Sequence, residues 1–381
     1  MYALTIFGWF LTLLGAAGAA YTLLAVYFAE RFARRTAGTA KAFPAVTILK
    51  PLHGLEPLLE DNLETFFAQD YPGPVQIVFG IDNVDDPAVA VVESLRRSHP
   101  DADMALTIEA RRHGTNPKVS NLINMMQAAH HDVLVHSDSD IAVEKDYLRA
   151  VVAALEPEDV GAVTCPYTGF AAGGFASRLS AMGINYLFLT NVFVGTGLGL
   201  TKPCFGSTIA VKRAVLEKIG GFQAFADVLA DDFEIGRAVR ESGHRVVIDR
   251  TVVRHACHET GLREWFDHEL RWMRTLRTMQ PAGHAGSIVT HAFPLALLGS
   301  ILSVFSLFSL AVLAASIAAR AVLKWRIDGL FGGEAGPYWL LPLRDVLSFA
   351  VFAMSLFGAS VVWQNERLTV EGDGALSERV K

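Results

Sequence analysis

Hydrophobic positions are spread unevenly along the chain. Residues 4–29 form an almost uncharged apolar run, longer than the ~20 residues a membrane helix needs. From residue 46 the pattern breaks into short apolar bursts separated by polar, periodic stretches. The bursts at 46–52, 75–81, 104–109, 161–165, 204–211 and 244–248 predict strands, as does 133–140, which is read as a buried strand ending in two carboxylates. Helical spacing predicts helices at 55–69, 88–98, 117–130, 144–155, 213–219, 229–242 and 262–279. Pro117 sits near the first turn of its helix, and Gly220-Gly221 closes another. Strands alternating with helices predict an α/β domain with a mostly parallel sheet.

Between Arg178 and Lys202 lies a stretch without charge. Its glycines, Asn185 and Asn191 favour an interfacial helix or an apolar groove wall over a membrane span, and ordinary core is the plainer alternative. After Pro281 the chain turns apolar again. Residues 287–319 predict one long membrane segment or a tight two-helix hairpin, 320–344 an amphipathic stretch, and 346–363 another membrane-length run. The resulting division is an N-terminal transmembrane helix (1–30), a basic linker (31–45), an α/β domain (46–283), a transmembrane and amphipathic region (284–363) and a polar, loose tail (364–381).

Composition agrees with a membrane-anchored globular domain. The chain is 51% hydrophobic and 19% charged, with a mean hydropathy of +0.32. A net charge of −6 argues against a nucleic-acid surface, which is normally basic. The three cysteines, Cys165, Cys204 and Cys257, are far apart and form neither a zinc signature nor a disulfide framework, which fits a reducing compartment. Arg31, Arg34, Arg35 and Lys41 follow the first apolar run and place the next domain on the cytosolic side. A cleaved signal peptide fits less well, because no basic residue precedes the run.

Four groups of residues carry candidate chemistry. Asp138 and Asp140 stand at i and i+2, so on a strand both would aim at one hard cation, Mg²⁺ or Mn²⁺. Taken alone, the pair reads equally well as a solvated acidic turn. Asp82, Asp85 and Asp86 form an acidic loop after a predicted strand. Asp231 and Asp232 open a helix, where helix capping is the plain reading. His268, Arg271 and Trp272 share one helix face with Arg274 close by, and a basic-aromatic face suits an anionic, ring-bearing ligand. The string His255-Ala256-Cys257-His258, read as a loop after a strand, lacks a matching second pair for a metal site.

The order of acidic loop, Asp-x-Asp, Asp-Asp at a helix start and x-x-x-Arg-Trp resembles inverting glycosyltransferases of the GT-A fold with a D, D, D, (Q/R)xxRW pattern. More narrowly, the chain resembles the ceramide glucosyltransferase family at Leu49-Lys50-Pro51-Leu52, Gln69-Asp70-Tyr71-Pro72, Asp85-Asp86-Pro87-Ala88 and Asn116-Pro117-Lys118-Val119. It is most similar to a bacterial branch associated with hopanoid biosynthesis, at His113-Gly114, Lys118 to Asn124, Cys204 to Thr208 and His268-Glu269-Leu270-Arg271-Trp272. The resemblance implies that Asp86 lies next to the nucleotide, with Asp82 or Asp85 as substitutes. It also implies that Asp138 and Asp140 hold the metal, that Asp232 is the general base, and that His268, Arg271 and Trp272 form the (Q/R)xxRW element. His268 departs from the usual Gln or Arg. Lys118 and Arg271 would help stabilise a departing diphosphate.

The implied partners are a UDP-sugar donor, a lipid acceptor and the membrane, with a divalent cation as cofactor and no nucleic acid. A hopanoid polyol fits UDP-N-acetylglucosamine, and ceramide fits UDP-glucose. The implied location is a bacterial inner membrane, with the catalytic domain on the cytoplasmic face. Two readings of other classes stay open: a haloacid-dehalogenase-type phosphatase with Asp138 as nucleophile, and a non-catalytic membrane scaffold.

Overall fold

The computed structural model describes residues 2–36, 38–333 and 335–358 in full, and only the backbone of 360–363, 366–370 and 376–378. The chain divides into two compact units. One comprises Thr36–Thr168, Lys202–His258 and Gly374–Lys381, and carries most of the sheet structure. The other comprises Met1–Arg35, Gly169–Thr201 and Glu259–Asp373, and is mainly helical.

The sheet unit is built on strands β1 (Val46–Pro51), β2 (Val75–Ile81), β3 (Asp103–Ile108), β4 (Val133–His136), β6 (Val160–Thr164), β8 (Ile209–Lys212) and β9 (Arg245–Ile248). Three short strands, β5 (Ile141–Ala142), β7 (Tyr167–Ala171) and β10 (Val253–Cys257), form a second sheet, with β7 running across the unit boundary. The main sheet has the order β3-β2-β1-β4-β8-β6-β9. β1 pairs in parallel with both β2 and β4, and β2 with β3. β8 is antiparallel to β4 and β6, so six of the seven strands run one way. β1 is buried along its whole length. Such a strand needs apolar side chains on both faces, and this one carries Val46, Ile48 and Leu49. One core layer joins Ile48, Phe66, Phe79, Tyr147 and Val163; the other joins Leu49, Val78, Leu122, Phe222 and Ile235.

Several predictions shift in this unit, among them helix ends at 55–69, 117–130 and 144–155, which shorten to Leu59–Phe67, Pro117–Met125 and Tyr147–Leu155, and three places that bear on function. β4 stops at His136, and Asp138 to Ile141 make a turn in which the Ile141 N–H donates to the Asp138 carbonyl at 3.4 Å. Asp138 and Asp140 therefore lie beyond the strand, and the i, i+2 rule for strands does not govern them. The strand expected from Cys204 starts only at Ile209. Before it the chain folds back on itself, with the Thr208 N–H donating to the Phe205 carbonyl at 3.2 Å. His255, expected on a loop, lies on β10 opposite Ile141.

In the helical unit, Tyr2–Ala33 is one helix of 32 residues. The uncharged stretch is helical from Phe175 to Gly197, with a π turn at Ile184–Phe188. The apolar segment from residue 287 is two helices, Ala292–Leu302 and Leu307–Phe331. They part at Val304 and Phe305, both of which take positive φ. The second helix continues through much of the stretch expected to be amphipathic. The run expected at 346–363 is helical only as part of Leu341–Ser355 and then gives way to a strand, Ser360–Trp363. The expected tail, from Gln364, falls partly outside the described residues.

Among the described residues, three helices are long and apolar enough to cross a membrane: Tyr2–Ala33, Phe175–Gly197 and Leu307–Phe331. Pro281–Thr290 and Ala292–Leu302, bent by 64°, would make a fourth as one broken span. The first helix packs on Ala292–Leu302 by close backbone approach. A Cβ on Gly15 would lie 2.9 Å from Ala296, and one on Gly8 would lie 2.8 Å from Leu302. Small residues at such contacts are the usual basis of helix packing in lipid.

Candidate functional site

Because β2, β1 and β4 are parallel neighbours, the loops that follow them leave the same edge of the sheet. The carboxyl edge of such a sheet is where ligands bind. His53 and Glu56 follow β1; Asp82, Asp85 and Asp86 follow β2; Asp138 and Asp140 follow β4.

In the β2 loop, Asp86 is buried and both its oxygens are engaged. Oδ1 accepts from the Ala88 N–H and Oδ2 from the Gly54 N–H, each at 2.8 Å. The first bond satisfies an amide at the start of the helix Ala88–Ser98, and the second ties down the β1 loop. Asp82 pairs with Arg112 at 3.1 Å. His53 Nδ1 stands 3.9 Å from both Asp82 and Asp86, and the three residues offer ligand atoms within 4.8 Å of one another. Asp85 is exposed.

Next to this loop lies a knot of opposite charges. Asn116 caps the helix Pro117–Met125 by accepting from the Val119 N–H at 3.0 Å, which fixes Lys118 in the first turn. Lys118 Nζ lies 2.7 Å from Asp138 Oδ1 and 3.6 Å from Asp231 Oδ2. Burial opposes the charge on Lys118, but Asp138 and Asp231 outweigh it and raise the ammonium above its ordinary range. Asp138 loses solvent as well, yet Lys118 and then His136, 3.6 Å away, hold its carboxyl below the carboxylate range. Lys50, wholly buried over the Phe66 ring, donates to the Asp138 carbonyl at 2.5 Å.

Asp232 begins the helix Asp231–Glu241 and accepts from the Gly206 N–H at 2.9 Å and from its neighbour Phe233 N–H at 2.7 Å. Burial, and then Asp231, push its carboxyl up to about 6, against the pull of Lys118. The fold-back before β8 brings Gly206 there. A Cβ at that position would come 2.9 Å from Asp138 Oδ2 and 3.1 Å from Lys118 Nζ.

Asp140 turns to a different partner. Its Oδ2 lies 3.0 Å from His255 Nε2, while the buried Oδ1 has no hydrogen-bond partner among the described residues. Burial disfavours the imidazolium of His255, but Asp140 more than compensates and raises it well above the usual histidine range. Glu56 accepts from Ser139 Oγ at 2.8 Å. Burial, and then Asp140, push Glu56 up to about 7. His255 and Glu56 are thus added to the site by the structure. His255 belonged to a string already noted, but only its pairing on β10 brings it to Asp140. No sequence signal marks Glu56.

The remaining predicted residues lie in the helical unit, on the helix Leu262–Met279. His268 Nδ1 is 2.6 Å from the buried Glu259 carboxylate, and its ring meets Trp272 edge-on at 4.7 Å. Trp272 also packs against Phe188, at 6.2 Å. Burial lowers Arg271 to about 10, and no acid pairs with it among the described residues. Burial raises the Glu259 carboxyl, but His268 overrides this and brings it down to about 2.

Comparison with known proteins bears on the family and the fold. A family model described as glycosyl transferase family 21 matches residues 9–376. Ceramide glucosyltransferase 1 of Caenorhabditis elegans is 27% identical over 240 residues, 62% of this chain and 51% of that protein. The ceramide glucosyltransferase of Candida albicans is 32% identical over 124 residues, 30% of this chain and 23% of that protein. At best, the chain spans about half the length of these curated relatives. Among solved structures, the mannosyltransferase PcManGT of Pyrobaculum calidifontis, in complex with GDP-Man and Mn²⁺, aligns with a TM-score of 0.53. That alignment is 23% identical and covers 93% of this chain and 98% of that one, which shows a shared GT-A-like fold.

Proposed function

The chain belongs to glycosyl transferase family 21, and on that premise we propose that it is a membrane-bound inverting transferase. It moves a hexose or N-acetylhexosamine from a UDP-sugar to a hydroxyl of a lipid. The observation that carries this is the charge knot at the carboxyl edge of the sheet, where Lys118, Asp138, Asp231 and Asp232 meet.

The donor set there suits a hard divalent cation. Asp140 Oδ1 is a buried oxygen without a partner among the described residues, and Asp138 keeps a third of its side chain exposed. Asp138 and Asp140 would hold Mg²⁺ or Mn²⁺, which when bound would neutralise charge on a diphosphate, while His255 orients Asp140. Asp86 and Asp82, at the neighbouring loop, are the residues for the nucleotide. Lys118 adds a fixed cation for the leaving diphosphate. Asp232, turned by the Gly206 amide, takes the proton of the acceptor hydroxyl as that oxygen attacks the anomeric carbon. Displacement from the far side inverts the configuration. In the helical unit, Arg271 supplies a cation that pairs with no acid among the described residues, and Trp272, steadied by His268 and Phe188, supplies an aromatic face for a sugar or an acceptor.

For the acceptor, the motifs at 113–124, 204–208 and 268–272 favour a hopanoid polyol such as bacteriohopanetetrol, with UDP-N-acetylglucosamine as donor. The relatives that are ceramide glucosyltransferases support a second reading, ceramide with UDP-glucose. Family membership leaves the phosphatase reading without support. The location proposed is the cytoplasmic face of a bacterial inner membrane, with the apolar helices as anchors. Purified membranes given labelled UDP-glucose or UDP-N-acetylglucosamine, each with ceramide or a hopane polyol, test the proposal. Product from one donor–acceptor pair identifies the reaction, and no lipid product from any pair refutes it.

A further inference from the structure

We infer that Arg344 and Glu269 are positioning residues for the helix Leu262–Met279, holding its His268, Arg271 and Trp272 in working register. The inference rests on the transferase reading of that helix. All the residues concerned lie in the helical unit.

Arg344 is only 2% exposed, and every arm of its guanidinium is engaged. Nε donates to the Leu179 carbonyl at 2.7 Å, Nη1 to Ser348 Oγ, and Nη2 to Glu269 Oε1 at 2.8 Å. The guanidinium also lies over the Trp265 ring, 5.3 Å from its centroid. One planar fork thus ties three helices together: Phe175–Gly183, Leu262–Met279 and its own, Leu341–Ser355. Gly183 makes room, since a Cβ there would collide with the guanidinium. The next residue, Asp345, reaches another way and forms a two-pronged pair with Arg320 at 2.8 and 2.6 Å, so the helix that holds Arg344 is itself clamped.

Trp265, Glu269 and Trp272 fall on successive turns of one helix side. A fix at the first two therefore sets the angle at which the third is presented, and with it His268 and Arg271. A buried pair that merely stabilised the fold is a weak prospect, because apolar residues of similar size serve as well or better. A planar, directional pair sets rotation and register, which a greasy contact does not. Lysine cannot replace the fork, since one ammonium cannot span the same three acceptors in a plane.

The test uses the full chain in detergent, with hydrogen exchange read by mass spectrometry and kinetics read per folded molecule. Glu269→Gln and Arg344→Lys should raise amide exchange in 262–279 at least tenfold and leave 307–319 unchanged. They should lower kcat by about 10- to 100-fold, the scale of a misplacement near 1 Å, with donor KM within about threefold. Because a single charge left buried can prevent folding, Glu269→Leu is also combined with Arg344→Met. That pair should melt no lower than the parent and still lose kcat. Unchanged exchange in the single variants, or parental kcat in the folded double variant, overturns the inference. If the parent chain transfers no sugar to any lipid, the transferase reading fails instead, and the exchange comparison still decides whether the pair holds the helix.

Discussion

Asp232 is the residue on which the proposed chemistry turns. A base works only when ionised, and burial together with Asp231 puts this carboxyl near 6. Turnover should therefore rise about tenfold per pH unit below 6 and level off above it. Asp232→Asn should lose that limb and ~10²–10⁴-fold in rate, while UDP binding, followed by calorimetry, stays nearly intact. Parental turnover in that variant would remove Asp232 from the role. Glu259 is shifted in the opposite direction. Its folded-state carboxyl is depressed from 4.5 to about 2 by His268, so its contribution is complete above 4.5 and is lost as pH falls from there towards 2. The shift corresponds to about 3 kcal/mol. Acid unfolding of Glu259→Gln should lack this step. Asp232 and the His268 helix were visible in the sequence as motif positions. Glu259 was not, because nothing in a linear pattern says which acid will meet a histidine nine residues away.

At the scale of elements, the glycine spacing of the first helix has a measurable consequence. Gly15 admits Ala296 at backbone distance, so Gly15→Leu must push the two helices apart. Overpacking of this kind costs roughly 1–3 kcal/mol, and the melting temperature in detergent should fall with little change in activity per surviving molecule. The alternating strands and helices of the main sheet were legible because its strands come as short apolar bursts with clear breaks, whereas β5, β7 and β10 of the second sheet were not foreseen. Two turns were not. The fold-back at Phe205 to Thr208 and the turn at Asp138 to Ile141 are set by single backbone hydrogen bonds, and the apolar or alternating residues around them read equally well as strand. The left-handed Val304 and Phe305 likewise break an apolar run that composition alone presents as continuous.

For the whole molecule, the chain sequence foretold a globular domain with apolar segments at both ends, and described residues bear out helices of spanning length in both regions. It did not foretell that residues 169–201 group with the terminal helices, because an uncharged stretch suits a groove, a core or a lipid face alike. Topology gives a direct check. With Arg31, Arg34, Arg35 and Lys41 retained inside, a tag ahead of residue 2 should be protease-accessible only from outside intact spheroplasts. A tag in the loop at 99–102 should be cut only after lysis. The reverse pattern would place the sheet unit on the wrong side for a cytosolic nucleotide-sugar.

The helix Leu307–Phe331 carries Arg320 and Lys324 within a span-like sequence; Lys324 meets Asp328 one turn on and the distant Tyr186 hydroxyl, whereas the acid that pairs with Arg320, Asp345, comes from the following helix. A ribosome emits Tyr186 long before this helix and Asp345 after it. For the time needed to synthesise those last residues, Arg320 has no counter-ion, and a lone charge resists entry into lipid. Chains that stop short of residue 345 should therefore insert this segment less well than the full chain and be degraded sooner, which a pulse-chase of truncated chains would measure.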